Sequence, residues 1–215
     1  MTQASDPWTV GRLLTWTTDY LRERDVQSPR LDAEVLLAAA LGCERIQLYA
    51  TFGDVVDEVP RSAFREYVKR RAHGEPVAYL VGHREFYSLS FRVTPEVLIP
   101  RPETELLVMT ALDPLKSRGP DTRPPRVIDV GTGSGAIAIA IARYAEACEV
   151  LGLDISPAAL DVAQANAEDH ELTPRVEFQH GDLLQGVAET PTWDLIVSNP
   201  PYVSEAEFAT LSPEV

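Results

Sequence analysis

The sequence contains few of the residues that build disulfide frameworks or metal sites. Its 215 residues include two cysteines, Cys43 and Cys148, and four histidines that are dispersed along the chain. Two cysteines without a pairing pattern predict small apolar residues in a reducing cytosol. Dispersed histidines give no support to a zinc site, and we expect no bound metal.

Long apolar runs and an excess of basic charge are also lacking. No run approaches the length that crosses a membrane, and the N-terminus, MTQASDPW, shows no secretory signal. We therefore expect a cytoplasmic protein without a membrane partner. The net charge of −14 argues against direct binding to nucleic acid, since such binding needs clustered Lys and Arg. One basic run, from Arg61 to Arg71, is interpreted as a solvated helix face.

The chain is predicted to have two parts, a helical domain at residues 1–78 and an α/β domain at residues 79–215. Apolar residues at helical spacing predict three helices in the first part. These helices run from about Val10 to Leu21, from Pro29 to Gly42 and from Pro60 to His73. Ser28 and Pro29 form a start signal, and Gly42 forms a stop signal.

The second part begins with a predicted β-hairpin and then alternates strands with helices. The alternating residues 85–93, EFYSLSFRV, indicate a hairpin within a linker at residues 79–100. Pro102 suits the first position of a helix, and Asp113 to Arg126 is predicted to be a surface connection. Strands are then expected at residues 126–130, 149–153, 176–179 and 193–198, and helices at residues 136–145 and 157–166. This alternation predicts a parallel sheet with helices on both faces.

A glycine loop, Gly131-Thr132-Gly133-Ser134-Gly135, follows the first strand of this sheet. Glycines let the chain turn sharply and approach a ligand closely, and open parallel sheets bind ligands at the carboxyl ends of their strands. The loop matches the GxGxG form of methyltransferases and, with Ala136, the GxGxxG/A form of dinucleotide-binding proteins. By itself it does not decide between S-adenosylmethionine and NAD.

Two acidic residues follow the next two strands. Asp154 ends the second strand, where a carboxylate accepts hydrogen bonds from the ribose hydroxyls of either cofactor. A helix-capping acid ahead of Ser156 is the less favoured alternative. Asp182 follows the third strand and would accept a hydrogen bond from an adenine amino group, with Leu183 packing on the ring. An Asx-turn after Gly181 explains Asp182 almost equally well.

The tetrapeptide Asn199-Pro200-Pro201-Tyr202 follows the fourth strand and favours methyl transfer over hydride transfer. A conjugated NH₂ nitrogen is a poor nucleophile because its lone pair is delocalised, so its N–H bonds must be held and its lone pair aimed. The Asn199 side-chain oxygen and the Pro200 carbonyl are predicted to accept those N–H bonds, and consecutive prolines fix the backbone in advance. Tyr202 is predicted to stack on the planar group and exclude water. The alternative is a proline-rich turn that ends the strand.

Several stretches of the chain together are specific to one family. They are LIPRPETELLV, VIDVGTGSGAIAIAIA, LGLDIS, GDLL, DLIVSNPPYVSE and LSPEV. In these stretches the chain resembles the HemK/PrmC family, the protein-(glutamine-N5) methyltransferases of class 1 peptide chain release factors. The resemblance implies a Rossmann-like class I methyltransferase fold, with S-adenosyl-L-methionine bound by residues 131–135, Asp154, Leu183 and Asn199. It also implies that residues 199–202 hold the glutamine of the release factor's GGQ loop, and that the helical domain docks this protein.

Members of this family continue beyond a fourth strand through a further helix, a fifth strand and a hairpin. We therefore expect that the C-terminal strands are missing here and that the fourth strand is left as an exposed edge. Glu103 and Glu105 either line the site or stabilise a helix end. Two alternatives to glutamine methylation stay open, which are methylation of an adenine-type exocyclic amine in nucleic acid and, for the chain as given, an inactive binding module.

Overall fold

The computed structural model describes residues 7–118, 123–187 and 193–200, which fall into two compact units that divide between Val81 and Gly82. This division lies close to the boundary expected after residue 78. Each unit has its own hydrophobic core. Within these described ranges, no helix is both long enough and apolar enough to cross a membrane.

The first unit consists of helices around an aliphatic core. They are α1 (Val10–Arg22), α2 (Pro29–Leu41), α3 (Gln47–Ala50), α4 (Glu58–Ala72) and α5 (Val77–Val81). The helices α1, α2 and α4 are those that apolar spacing predicts, whereas α3 and α5 are too short to show a periodic pattern. Leu14, Leu36 and Phe64 are buried in the core that these three longer helices share.

Individual residues explain where α2 begins and ends and how a charged side chain is buried on α4. Pro29 begins α2, and Gly42 ends it in the left-handed conformation, with φ +63°. Arg71 of α4 is buried, and its Nε donates to Asp32 Oδ2 at 2.7 Å. The expectation that the whole basic run from Arg61 to Arg71 is solvated is therefore wrong for Arg71, because a buried carboxylate neutralises it.

The second unit begins with a hairpin and continues as a parallel sheet with helices. Its elements are β1 (His83–Phe86), β2 (Leu89–Arg92), α6 (Glu105–Lys116), β3 (Arg126–Val130), α7 (Ala136–Tyr144), β4 (Glu149–Asp154), α8 (Pro157–Asp169), β5 (Val176–His180) and β6 (Leu195–Ser198). The predicted hairpin is confirmed, since β1 and β2 pair antiparallel. A short 3₁₀ turn, Pro102–Thr104, precedes α6.

The parallel sheet has the strand order β5-β4-β3-β6. Asp129 in the centre of the sheet lies opposite Gly152 on one side and Val197 on the other. The chain advances from β3 through β4 to β5 and then returns to the other side of β3. Such a reversal opens a crevice at the carboxyl ends of the strands, here between β3 and β6. In the described sheet β6 pairs with β3 alone, and Ile196 of β6 is 53% exposed.

The helices of the second unit form one layer, because α7 contacts both α6 and α8 as well as β3, β4 and β5. Strand–helix alternation predicts helices on both faces of the sheet, whereas the described helices share one face. Right-handed crossovers that advance in the same direction return over the same face, which explains the difference.

Helix α6 is longer than the sequence predicts. It extends through Lys116, so the expected surface connection from Asp113 to Arg126 is wrong for its first four residues. Pro114 lacks an N–H donor and disfavours a helix interior. Leu112 and Leu115 are buried in the core of the unit, and their burial outweighs this cost.

Candidate active site

A cavity of about 460 Å³ lies at the carboxyl ends of the parallel strands. Its walls come from the glycine loop, from residues that follow β4, β5 and β6, and from a segment between residues 96 and 104. Polar groups from several loops that converge in one concave space are typical of a small-molecule site.

The cavity brings together most of the predicted site residues that the structure describes. It is lined by Gly131, Thr132, Gly133, Ser134, Asp154, Asp182, Leu183, Asn199 and Pro200. Gly135 was expected to contact the cofactor but does not line the cavity. It precedes α7 with φ +77°, and a Cβ there would lie 3.2 Å from Ala163 Cβ, so Gly135 allows close packing between helices. Pro201 and Tyr202 lie outside the described residues.

The glycine loop turns back over the end of β4. The backbone N–H groups of Gly131 and Thr132 both donate to the Leu153 carbonyl, at 2.8 and 2.9 Å. Gly131 and Gly133 have φ values of +72° and +56°, which L residues rarely adopt, and a Cβ on either would meet no protein atom within 4 Å. The loop therefore presents bare backbone to an open space, as a bound ligand requires.

Close packing with the sheet holds this loop in place. Thr132 Oγ1 donates to Asp129 Oδ2 at 2.7 Å, and burial raises the pKa of Asp129 to about 6. A Cβ on Gly152 would lie 2.9 Å from Thr132 Oγ1 and 2.5 Å from the Phe178 ring. We did not single out Asp129 or Gly152 from the sequence, although an acidic residue in a buried strand is a visible signal.

The Asp154 carboxylate connects the glycine loop to α8. Its Oδ2 accepts from the Gly133 N–H at 2.9 Å, and its Oδ1 accepts from the Ser156 N–H at 3.0 Å. Helix α8 is capped by Ser156, whose Oγ accepts from the Ala159 N–H at 3.2 Å, so the structure does not support Asp154 as the helix-capping acid. Each carboxylate oxygen has a second lone pair, so Asp154 has the capacity to accept from ribose hydroxyls as well.

Two exposed apolar side chains stand at the end of the cavity formed by β4 and β5. Ile155 is 64% exposed and Leu183 is 68% exposed, and both line the cavity. Leu183 has φ +55°, a strained conformation for a non-glycine residue, and such strain is concentrated at binding sites. Asp182 also forms a turn, since its carbonyl accepts from the Gln185 N–H at 3.1 Å. We did not predict Ile155, although it directly follows Asp154.

The β6 end of the cavity contains the first residues of the catalytic tetrapeptide. Asn199 is half-buried, and its Nδ2 donates to Thr104 Oγ1 at 3.2 Å. The Nδ2 end of the Asn199 amide therefore faces Thr104. Thr104 comes from the RPETE stretch and was missed at the level of sequence, as was Arg101, which also lines this end.

The two glutamates of the RPETE stretch do not line the cavity within the described residues. Glu105 Oε1 accepts from the Tyr87 N–H at 2.9 Å, in the turn between β1 and β2. Tyr87 and Ser88 have φ values of +50° and +60°, so this contact stabilises a strained turn. Glu103 is exposed.

One buried asparagine ties the hairpin to the glycine loop. Asn166 of α8 is fully buried, and its Nδ2 donates to the Ser134 carbonyl at 2.8 Å and the Arg92 carbonyl at 3.1 Å. Its Oδ1 accepts from the Arg92 N–H at 2.7 Å. The sequence gives no signal for this role, because an asparagine within a helix is ordinarily a surface residue.

Comparison with known proteins assigns both units. Residues 12–82 match the PrmC N-terminal domain, and residues 104–212 match the methyltransferase small domain. A release factor glutamine methyltransferase of Rhodopirellula baltica is 53% identical over 210 residues, which are 98% of this chain and 71% of that protein. One of Geobacter sulfurreducens is 43% identical over 215 residues, which are 100% of this chain and 72% of that protein.

Among solved structures, the ribosomal protein L11 methylase of Lactobacillus delbrueckii is 32% identical, with a TM-score of 0.40 over 51% of this chain and 52% of that chain. The assignment rests on the sequence matches, which span both units and agree with the resemblance seen in the motifs. The protein is an enzyme that takes its methyl group from S-adenosylmethionine. The chain belongs to the family of release factor glutamine methyltransferases.

Proposed function

We propose that this chain transfers a methyl group from S-adenosylmethionine to the side-chain amide nitrogen of the glutamine in the GGQ motif of class 1 peptide chain release factors. The observation that carries this proposal is that Asn199 and Pro200 line the same cavity as the glycine loop. A cofactor site and a pair of amide-binding acceptors thereby share one space. The names of the relatives support the choice of substrate.

The residues that line the cavity match successive parts of S-adenosylmethionine, taken in the order of the strands across the sheet. Beside β5 and β4, the exposed Leu183 and Ile155 would hold the adenine ring, with Asp182 near its amino group. Asp154 would accept from the ribose hydroxyls, and the bare backbone of residues 131–134 would follow the rest of the cofactor. When bound, this cofactor supplies a methyl group on a positively charged sulfur, which makes the methyl carbon strongly electrophilic.

The residues after β6 would act on the nucleophile. Asn199 Oδ1 and the Pro200 carbonyl would each accept one N–H of the substrate amide, so that the nitrogen lone pair points away from both. Orientation of this kind lowers the barrier because the reacting atoms are held before the reaction begins. Pro200 and Pro201 restrict the backbone, so little reorganisation is needed when substrate binds.

The release factor is the proposed partner, and the helical domain at residues 1–78 is proposed to dock it while residues 79–215 carry the reaction. We place both proteins in the cytoplasm, since release factors act in translation. Direct binding to nucleic acid is not part of the proposal, because the net charge of −14 opposes it.

The test is transfer of radiolabelled methyl groups from S-adenosylmethionine to purified release factor, with bulk RNA and DNA as parallel acceptors. We expect label on the glutamine of the GGQ motif, located by mass spectrometry, and none on nucleic acid. Label on nucleic acid alone would contradict the proposal. If titration calorimetry detected no binding of the cofactor, this result would favour the alternative of an inactive binding module.

A further inference from the structure

The helical unit contains a second concave site, between α1 and α4. This α1–α4 groove has a volume of about 340 Å³. Its apolar lining consists of Trp8, Leu13, Trp16, Tyr20, Phe64 and Val68. The rest of its lining is Thr17 and three basic side chains of α4.

Thr17 is an unusual residue for a buried helical position. It is fully buried, and its Oγ1 has no hydrogen-bond partner among the described residues. The neighbouring Thr15 and Thr18 each donate to the carbonyl four residues earlier, those of Gly11 and Leu14, at 2.9 and 2.6 Å. Burying a hydroxyl without a hydrogen-bond partner lowers the stability of the fold. A hydroxyl of this kind in the wall of a groove therefore indicates that a bound group supplies the missing hydrogen bond.

The rim of the groove is basic although the whole chain is acidic. Arg61, Arg65 and Lys69 follow one another at four-residue spacing on α4, and no acidic side chain of the described residues lines the groove. Glu58 and Glu66 pair with these cations along the helix surface, where ion pairs exchange readily. On a chain with a net charge of −14, the lining of this groove is locally basic and complements the charge of an acidic segment.

The aromatic side chains of the groove argue against a nucleic-acid occupant. Arg12 lies 4.4 Å from the ring centroid of Trp8, and Arg24 lies 3.6 Å from that of Tyr20. Trp16 stacks on Tyr20 with a centroid separation of 4.9 Å. These ring faces already have neighbours, whereas binding of single-stranded nucleic acid depends on rings that stack with bases. A concave apolar space with a cationic rim fits an apolar side chain flanked by carboxylates.

We propose that the α1–α4 groove binds an acidic segment of the protein substrate, with one apolar side chain inserted between α1 and α4. Insertion parts α1 from α4 at this point, so that the segment reaches Thr17 Oγ1, which is inaccessible in the unbound groove. Arg65 and Lys69 exchange Glu58 and Glu66 for carboxylates of the segment. The inference rests on the proposed function, because it takes the release factor as the partner. Binding energy obtained here is independent of the reacting glutamine, so its loss raises KM for the whole protein substrate and leaves short peptides unaffected.

The experiment compares full-length release factor with a short peptide that contains the GGQ sequence. The double variant Arg65→Glu/Lys69→Glu alters two side chains that are 58% and 60% exposed, and an unchanged circular dichroism spectrum checks that the fold is retained. We expect its KM for the release factor to rise at least about tenfold, with KM for peptide and cofactor unchanged. The matched control is Arg22→Glu, a 63% exposed residue of α1 that does not line the groove, and its KM stays within about twofold.

A second variant, Thr17→Val, separates a binding role from a structural one. Valine keeps the shape and removes the hydroxyl, so we expect an unchanged or higher melting temperature together with a KM for the release factor that rises about threefold. If the wild type methylates the release factor and the double variant does so with the same KM, the groove proposal is wrong while the proposed function stands. If the wild type does not methylate it, the proposed function fails and this inference with it. Competition by single-stranded RNA that is lost in the double variant would show a nucleic-acid occupant and overturn the proposal.

Discussion

The contact between Thr104 and Asn199 predicts that a residue outside the catalytic tetrapeptide controls turnover. Thr104 Oγ1 accepts from Asn199 Nδ2, and this bond helps to hold the Nδ2 end of the amide towards Thr104. In Thr104→Val the side chain keeps its shape, but the Asn199 amide loses this hydrogen bond and is held less firmly. Turnover should fall because a rotated amide would present a donor where the substrate needs an acceptor.

The size of the effect follows from the geometry. At 3.2 Å the bond is at the long end of the ordinary range, so we assign it about 1 kcal/mol. That value corresponds to a fall in kcat of about fivefold. Thr104→Ser retains the hydroxyl and serves as the matched control, with kcat within about twofold of wild type.

The assay is steady-state methylation of the release factor, with cofactor affinity measured separately by calorimetry. We expect the fall in kcat to occur without a matching loss of affinity for S-adenosylmethionine. A Thr104→Val enzyme as fast as wild type would refute the reasoning. So would an equal loss in the valine and serine variants, because the hydroxyl would then be irrelevant.

Three further predictions concern the site and its support. Asn199→Ala should abolish turnover yet keep most cofactor affinity. Asp154→Ala should instead weaken cofactor binding by about 1–3 kcal/mol, measured by calorimetry. Equal losses of turnover and of cofactor affinity in both variants would show that these roles are wrongly divided. Asn166→Ala should lower the free energy of unfolding in urea by about 2–4 kcal/mol, because buried backbone groups lose their partners. The control, Gln164→Ala at an exposed position of the same helix, should change it by less than about 0.5 kcal/mol. Similar values for the two variants would contradict the role assigned to Asn166. Burial raises the pKa of Asp129 to about 6 in the folded state, so the free energy of unfolding should fall by up to about 3 kcal/mol as pH rises from about 4 to 6. Asp129→Asn should remove this part of the pH dependence. An unchanged pH profile in the variant would mean that Asp129 is not responsible.

Much of the fold and of the cofactor end of the site could be predicted because the signals are local. The glycine loop needs positive φ angles, and those positions are glycine in the sequence. Asp154 ends β4 and Asn199 directly follows β6, so the geometry of a parallel sheet places them at one edge without further information. Gly135 shows the limit of such a pattern, since the motif does not reveal that a Cβ at this position would crowd Ala163 of α8.

The supporting contacts could not be predicted because they join residues that are distant in sequence. Thr104 and Asn199 are 95 positions apart, and Asn166 meets Arg92 across 74 positions. Nothing in either local sequence specifies the partner, which is determined by how the hairpin and α6 pack on the sheet. The continuation of α6 through Pro114 could not be predicted for the same reason. Its stability comes from the packing of buried leucines and not from the intrinsic helix propensity of the segment.

The link through Asn166 has a consequence for attempts to obtain a minimal catalytic fragment. All three of its hydrogen bonds end on backbone atoms of Arg92 and Ser134, so the side chains at those two positions do not contribute to it. Exchanging either side chain leaves these three bonds in place, although exchanging Arg92 also removes its ion pair with Asp169 of α8, whereas deleting the hairpin removes two of the three bonds. A fragment that starts at α6 would therefore retain every residue of the glycine loop and still bind the methyl donor poorly.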